Sequence, residues 1–167
     1  MHSTKAIQRR RVLWPYATKR RPYVGGWAAT LVSGKHQRIQ YGYIQCPSEF
    51  RAELLAVVTG LQALKKRSYV IVRTASDHLM NGIPSLLGHR SKGKDWVFDV
   101  KNGKAKNSDL WQELLTLSQL HEIQMEWIAF RSKDGFTQDA FRSASQAARW
   151  QISRDFRPAT NGSRNYV

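Results

Sequence analysis

Between Val24 and Ile44 two apolar runs flank Ser33-Gly34-Lys35-His36, and the second has a period of two: Ile39, Tyr41 and Tyr43 alternate with Gln40 and Gly42. That pattern suits a β-hairpin with one buried face and leaves no room for a helix there. The period then changes. Pro47-Ser48 starts a helix, with Ser48 placed to cap it, and Leu54, Leu55, Val58, Leu61 and Ala63 recur at helical spacing. The helix is expected over residues 49–66, with Lys65-Lys66-Arg67 complementing the dipole at its end. A hairpin followed at once by an amphipathic helix points to helices packed on a sheet.

The rest of the chain continues in the same style. Val12-Leu13-Trp14 reads as a core strand with basic flanks, Arg9-Arg10-Arg11 and Lys19-Arg20-Arg21. A mitochondrial transit peptide is the alternative reading of those arginines. Tyr69 to Val72 is a short apolar run, as in a buried strand. From Gly88 to Lys106 the character changes: Arg90, Lys92, Lys94, Lys101, Lys104 and Lys106 surround Trp96 and Phe98, which reads as a protruding basic arm. Leu110, Leu114 and Leu117 mark a helix from Ser108 to Leu120. Ile123, Met125 and Trp127 mark a strand, and Phe141, Ala144, Ala148 and Ile152 a last helix. The domain expected from this is residues 9–155, after a basic tail at 1–8 and before a flexible polar tail at 156–167. Three early strands followed by alternating helices and strands make it an α/β fold with a mixed sheet.

Lys and Arg total 27 against 12 Asp and Glu, a net charge of +15, which points to a polyanionic partner and most simply to nucleic acid. The apolar runs fall far short of the roughly 20 residues of a membrane helix, and no secretory signal is legible. The expected location is therefore cytoplasmic or nucleoid/nuclear, not secreted. Cys46 is the single cysteine, which excludes an internal disulfide, and it reads as a small core residue. His36, His78, His89 and His121 have no metal-ligand spacing and read as surface residues.

Several strings, in this order, resemble the type 1 ribonuclease H family: Gly25-Gly26-Trp27-Ala28, Arg51-Ala52-Glu53-Leu54, Leu61-Gln62-Ala63-Leu64, Lys92-Gly93-Lys94-Asp95-Trp96, Lys106-Asn107-Ser108-Asp109-Leu110-Trp111 and Glu126-Trp127. The resemblance covers roughly residues 10–155. It implies a five-stranded mixed sheet, the first three strands antiparallel, with helices on both faces. It also implies two-metal cleavage of the RNA strand of an RNA–DNA hybrid, with two Mg²⁺ about 4 Å apart held by four carboxylates. Carried over position by position, only Glu53 survives. The first-strand Asp falls at Pro15-Tyr16, the next at Ala75, the last near Phe141, and the mobile-loop His near Arg131. Glu53 reads either as a residual ligand or as a helix carboxylate paired with a neighbouring Arg.

Three functions follow. The leading one is a catalytically inactive module that binds RNA–DNA hybrid or double-stranded, structured RNA, within a larger ribonucleoprotein. Its contacts would be Arg20, Arg21, Arg51, Arg90, Lys92, Lys94, Trp96, Lys101, Lys104, Lys106, Asn107 and Arg131. Asn107 is an ordinary helix cap or, as the resemblance implies, a residue facing nucleic acid. Glu49-Phe50 stands where the family reads the minor groove with amides, which weakens hybrid preference. No cofactor is expected on this reading. The second function is an active enzyme with relocated carboxylates, Glu53, Asp77 and Asp139, and Mg²⁺ as its cofactor. The third is a structural subunit that docks on protein partners or assembled RNA.

Overall fold

The computed structural model describes residues 10–21, 24–45, 48–91, 106–129, 134–153 and 162–166. The element order is β1 (Arg10–Arg21), β2 (Val24–Ser33), β3 (His36–Gln45), α1 (Glu49–Gln62), β4 (Tyr69–Thr74), α2 (Asp77–Ser91), α3 (Ser108–Leu120), β5 (Glu122–Trp127), α4 (Gly135–Ser153) and β6 (Gly162–Tyr166). The sheet order is β5-β4-β1-β2-β3-β6. β1, β2 and β3 are antiparallel neighbours, whereas β4 lies parallel to both β1 and β5. The expected five-stranded mixed sheet is present, with its first three strands antiparallel, and a sixth strand extends it.

Strand periodicity sorts side chains between two cores. Leu13 and Ala17 of β1, Trp27, Ala29 and Leu31 of β2, and Val70 and Val72 of β4 face α1, α2 and α3. On the other face Ala28, Ile39 and Tyr41 meet Ala140, Ala144 and Ala147 of α4. The alanines let α4 lie close, and Gly26 completes the contact: a Cβ there would stand 1.8 Å from the carbonyl oxygen of Ala144. On the opposite face Gly60 of α1 is pressed against Leu13, which would lie 2.5 Å from an added Cβ.

Several details differ from the sequence reading. Ser48 holds the N-cap position of α1 in extended backbone, yet its side chain makes no capping bond. α1 ends at Gln62, so Lys65-Lys66-Arg67 lie in the link to β4 and not in its last turn. α2 runs through Gly88 to Ser91, where the basic arm was expected to begin; residues 92–105 lie outside the described residues, as does Cys46. Gly162–Tyr166, inside the tail expected to be flexible, pairs antiparallel with Gln37–Tyr41 of β3. Backbone bonds to an open sheet edge need no apolar side chains, so composition carried no sign of it.

His121 is a further correction. It is 3% exposed, not a surface residue, and neither ring nitrogen has a hydrogen-bond partner among the described residues. It is the C-cap of α3, and the chain turning back into β5 folds its ring inward. Burial, and then the Arg11 charge, hold its pKa below the usual value.

Two predictions follow. Gly26→Ala should destabilise the fold by at least about 2 kcal/mol in urea titrations, because backbone and not a flexible side chain blocks the Cβ. Below the ordinary His pKa the unfolded chain takes up a proton that the folded His121 refuses. Stability should thus hold above about pH 6.5 and fall by up to about 1.4 kcal/mol per unit below it. His121→Leu should flatten that limb in denaturation curves measured between pH 5 and 8.

Candidate functional site

At the carboxyl end of β4, beside the middle of β1 and the first turns of α1, lies a cleft of about 70 Å³, where open α/β sheets bind ligands. Its lining includes Trp14, Pro15, Glu53, Ala75, Ser76 and Thr137, with Glu49 also contributing. Pro15 is tolerated inside β1 because pairing with β4 stops at Leu13, so on that side the ladder has no bond for it to break. Trp14 forms a wall: its ring lies 4.7 Å from Phe136, and the Arg73 guanidinium sits 5.5 Å over it. Arg73 is turned there by an ion pair with Glu126 at 3.0 Å. Thr137 is fixed by Asp134, which accepts its backbone N–H at 2.8 Å and its hydroxyl at 2.6 Å.

Glu53 is paired with a serine, not with an arginine. The Ser76 hydroxyl donates to Glu53 Oε2 at 2.6 Å. Ser76 is itself held just ahead of α2, where its N–H donates to Thr74 Oγ1 at 3.1 Å and its Oγ accepts the Leu79 N–H at 3.4 Å. Burial pushes the Glu53 pKa up; the Ser76 bond opposes this, Glu49 adds to it and His78 opposes it.

The neighbouring arginine has another partner. Arg51 forms a fork on Asp109, with Nη1 and Nη2 donating at 2.9 and 2.6 Å. The same Nη1 reaches Asn107 Oδ1 at 3.1 Å. The Arg51 bonds hold the Asp109 pKa down to about 2. Asn107 occupies the N-cap of α3 at φ 63°, ψ 26°, without a side-chain capping bond, and its amide turns to Arg51 instead. Phe50 packs against Trp111 and His78, with centroids 6.0 and 5.0 Å away, and so joins α1 to its neighbouring helices.

Of the residues expected at the site, Glu53 lines the cleft, Arg51 and Asn107 meet at the start of α3 outside its lining, and Lys106 is exposed just before α3. Arg20 and Arg21 end β1 and Arg90 lies in α2. Lys92, Lys94, Trp96, Lys101, Lys104 and Arg131 lie outside the described residues. Asp109 lies within a string that carries the resemblance, a string read for Asn107, and Ser76 follows Ala75, a position read only for its missing acid. The sequence reads Trp14 as core, and only the stop of β1–β4 pairing at Leu13 makes it a cleft wall.

The donor set does not fit a two-metal centre. Pro15 and Ala75 line the cleft where two of the carboxylates were expected, and neither supplies a side-chain oxygen. Phe141, at the third position, is 44% exposed and outside the lining. Asp77 and Asp139 do not replace them: Asp77 is exposed at the start of α2, and Asp139 faces Arg142 at 3.7 Å. Among the described residues no three His, Cys, Asp or Glu side chains group as a metal set.

An open sheet ordered β5-β4-β1-β2-β3, with α4 the one described helix on one face and a cleft at the end of β4 beside β1, defines the ribonuclease-H-like class of α/β proteins. A family model for RNase H matches residues 17–148. The chain is 39% identical to the Ribonuclease H of Polynucleobacter asymbioticus over 113 residues, covering 67% of this chain and 71% of that one. It is 34% identical to the Ribonuclease H of Francisella tularensis subsp. novicida over 131 residues, 78% and 85% of the two chains. It therefore belongs to the RNase H family. Among solved structures, LC9-RNase H1, a type 1 RNase H with the type 2 active-site motif, superposes with a TM-score of 0.72 at 17% identity, covering 89% of this chain and 76% of that one. A foamy viral protease–reverse transcriptase in complex with dsDNA gives 0.59 at 17% identity, covering 85% and 95%.

The Glu53 environment makes a prediction with a definite sign. A folded pKa raised above the unfolded value means that ionisation costs stability as pH rises through it. Glu53→Gln keeps an oxygen to accept from Ser76 and removes the charge. The variant should melt above the wild-type temperature at pH 7, and the difference should vanish below about pH 4, as read by calorimetry at both values.

Proposed function

We propose that this protein binds the duplex its family acts on, RNA–DNA hybrid or structured double-stranded RNA, without cutting it. The observation that carries this reading is the lining of the cleft, where Glu53 stands with Pro15 and Ala75 in place of partner carboxylates. Loss of those acids removes the repulsion that an acidic pocket exerts on a phosphate backbone, so contact no longer needs divalent cations to neutralise it. The net charge of +15 supplies the attraction. Arg51 and Asn107 are joined at the start of α3, next in the chain to the exposed Lys106. A binding role of this kind suits a component of a larger ribonucleoprotein.

Purified protein should leave the RNA strand of a hybrid intact in both Mg²⁺ and Mn²⁺. Wild-type cleavage that disappears in Glu53→Gln would overturn the inactive reading. With about six phosphates contacted, affinity should drop by roughly 10³ between 50 and 200 mM salt. Replacing Arg90, Lys92 and Lys94 by Ala should flatten that slope by up to about three charges, whereas Trp96→Ala should weaken binding with the slope nearly unchanged. Preference for hybrid over B-form DNA should be modest, because Glu49 and Phe50 offer no amide to the minor groove.

A further inference from the structure

The described charges are not spread evenly along the strands. Glu49, Glu53, Asp77, Asp109, Glu126 and Asp139 all stand toward the cleft end, where Arg51, Arg73 and Arg142 are engaged in ion pairs. The opposite end of the sheet carries Arg10, Lys35, Lys65, Lys66 and Arg67, all exposed. None of these five makes an ion pair among the described residues. The carboxylates nearest in the topology are Glu122, paired in register with Tyr69, and Glu113, which accepts a hydrogen bond from Gln62 at the end of α1.

The topology gathers these cations. Arg10 opens β1 opposite Tyr69 of β4, and Lys65-Lys66-Arg67 lead directly into β4. The register Val12↔Val32 brings the start of β1 alongside the β2–β3 turn that holds Lys35. From β3 to β4 is three strand spacings, about 14 Å, so the five charges form one strip across the end of the sheet. The lysine loop is also anchored: Arg11 Nε donates to Ser68 Oγ at 3.2 Å, and that hydroxyl donates to the Lys66 carbonyl at 2.8 Å.

We propose that this end of the sheet is a second phosphate-backbone site, so that one copy of the chain bridges two nucleic-acid segments. Phosphate contact needs cations and little else, and cations are what this strip offers. An acidic protein partner would need apolar anchors, and among the described side chains Leu120 is the single exposed large apolar one on the elements forming this end. Pro15 lies five positions along β1 from Arg10, about 16 Å of strand, which puts the strip on the side of the domain away from the cleft. A straight duplex seated at the cleft end therefore leaves the strip free for another. The inference rests on the cleft end holding the first duplex.

Sedimentation of the full chain with increasing RNA–DNA hybrid, together with energy transfer between donor- and acceptor-labelled hybrids, tests it. The expected result is two hybrids per monomer, with the second event showing a log-log salt slope of about −4.5. Lys65→Glu, Lys66→Glu and Arg67→Glu together should abolish the second event and the energy transfer, and change affinity for the first hybrid less than about threefold. Arg10→Glu with Lys35→Glu, on different elements, should do the same and guards against a local folding defect in the lysine loop. Two hybrids per chain in both variants would overturn the proposal. One hybrid per wild-type chain, kept in both variants, would overturn it and leave the cleft-end reading standing. A single hybrid lost in both variants would overturn the cleft-end reading as well.

Discussion

Burial of β1 on both faces is the constraint on which the rest of the structure depends. The strand pairs with β2 on one side and β4 on the other, and its successive side chains enter different cores. Leu13 seats against Gly60 of α1, and Trp14 stacks on Phe136 at the start of α4. With both faces covered, a slip of one residue would drive Leu13 and Trp14 into each other's cores, so register is strongly specified. β4 ends soon after its pairing with β1 stops at Leu13, and the cleft is the gap left beside the rest of β1.

What distinguishes the cleft chemically is uncharged groups at the two positions where the resemblance implies acids. With Pro15 and Ala75 beside it, Glu53 has a serine as its hydrogen-bond partner, and burial favours the neutral acid. Arg51, two residues away on α1, is drawn outward to Asp109, whose carboxyl is held at about 2. The two acids thus have opposite surroundings within a short stretch of surface: one loses water, the other gains a guanidinium fork. A metal-coordinating pocket would need both kinds of site to favour the charged form.

Much of the fold was legible because its elements announce themselves by period. The alternation of Ile39, Tyr41 and Tyr43 and the helical spacing from Leu54 to Leu61 survive in β3 and α1. α2 was not legible: Gly82 and Pro84 interrupt it, and its place is secured from outside, by Trp111 packed against Gly82. β6 was hidden for another reason, since its pairing uses only backbone groups on an open edge. The site was legible by subtraction. Pro15 and Ala75, where the resemblance implies acids, could be read in the chain, whereas the Ser76 partner of Glu53 could not, because 23 residues separate the two.

The chain by itself determined the binary patterns, the excess of positive charge and the identity of the residues standing where carboxylates would be needed; all three are local or additive properties. Only the tertiary structure decided which residues became neighbours. It buried His121, drew Arg51 to Asp109 in place of Glu53, and collected Arg10, Lys35 and Lys65–Arg67 from three separate segments at one end of the sheet. Burial and electrostatic interaction depend on distance through space, and distance through space is set by strand order and register, which periodicity along the chain does not encode.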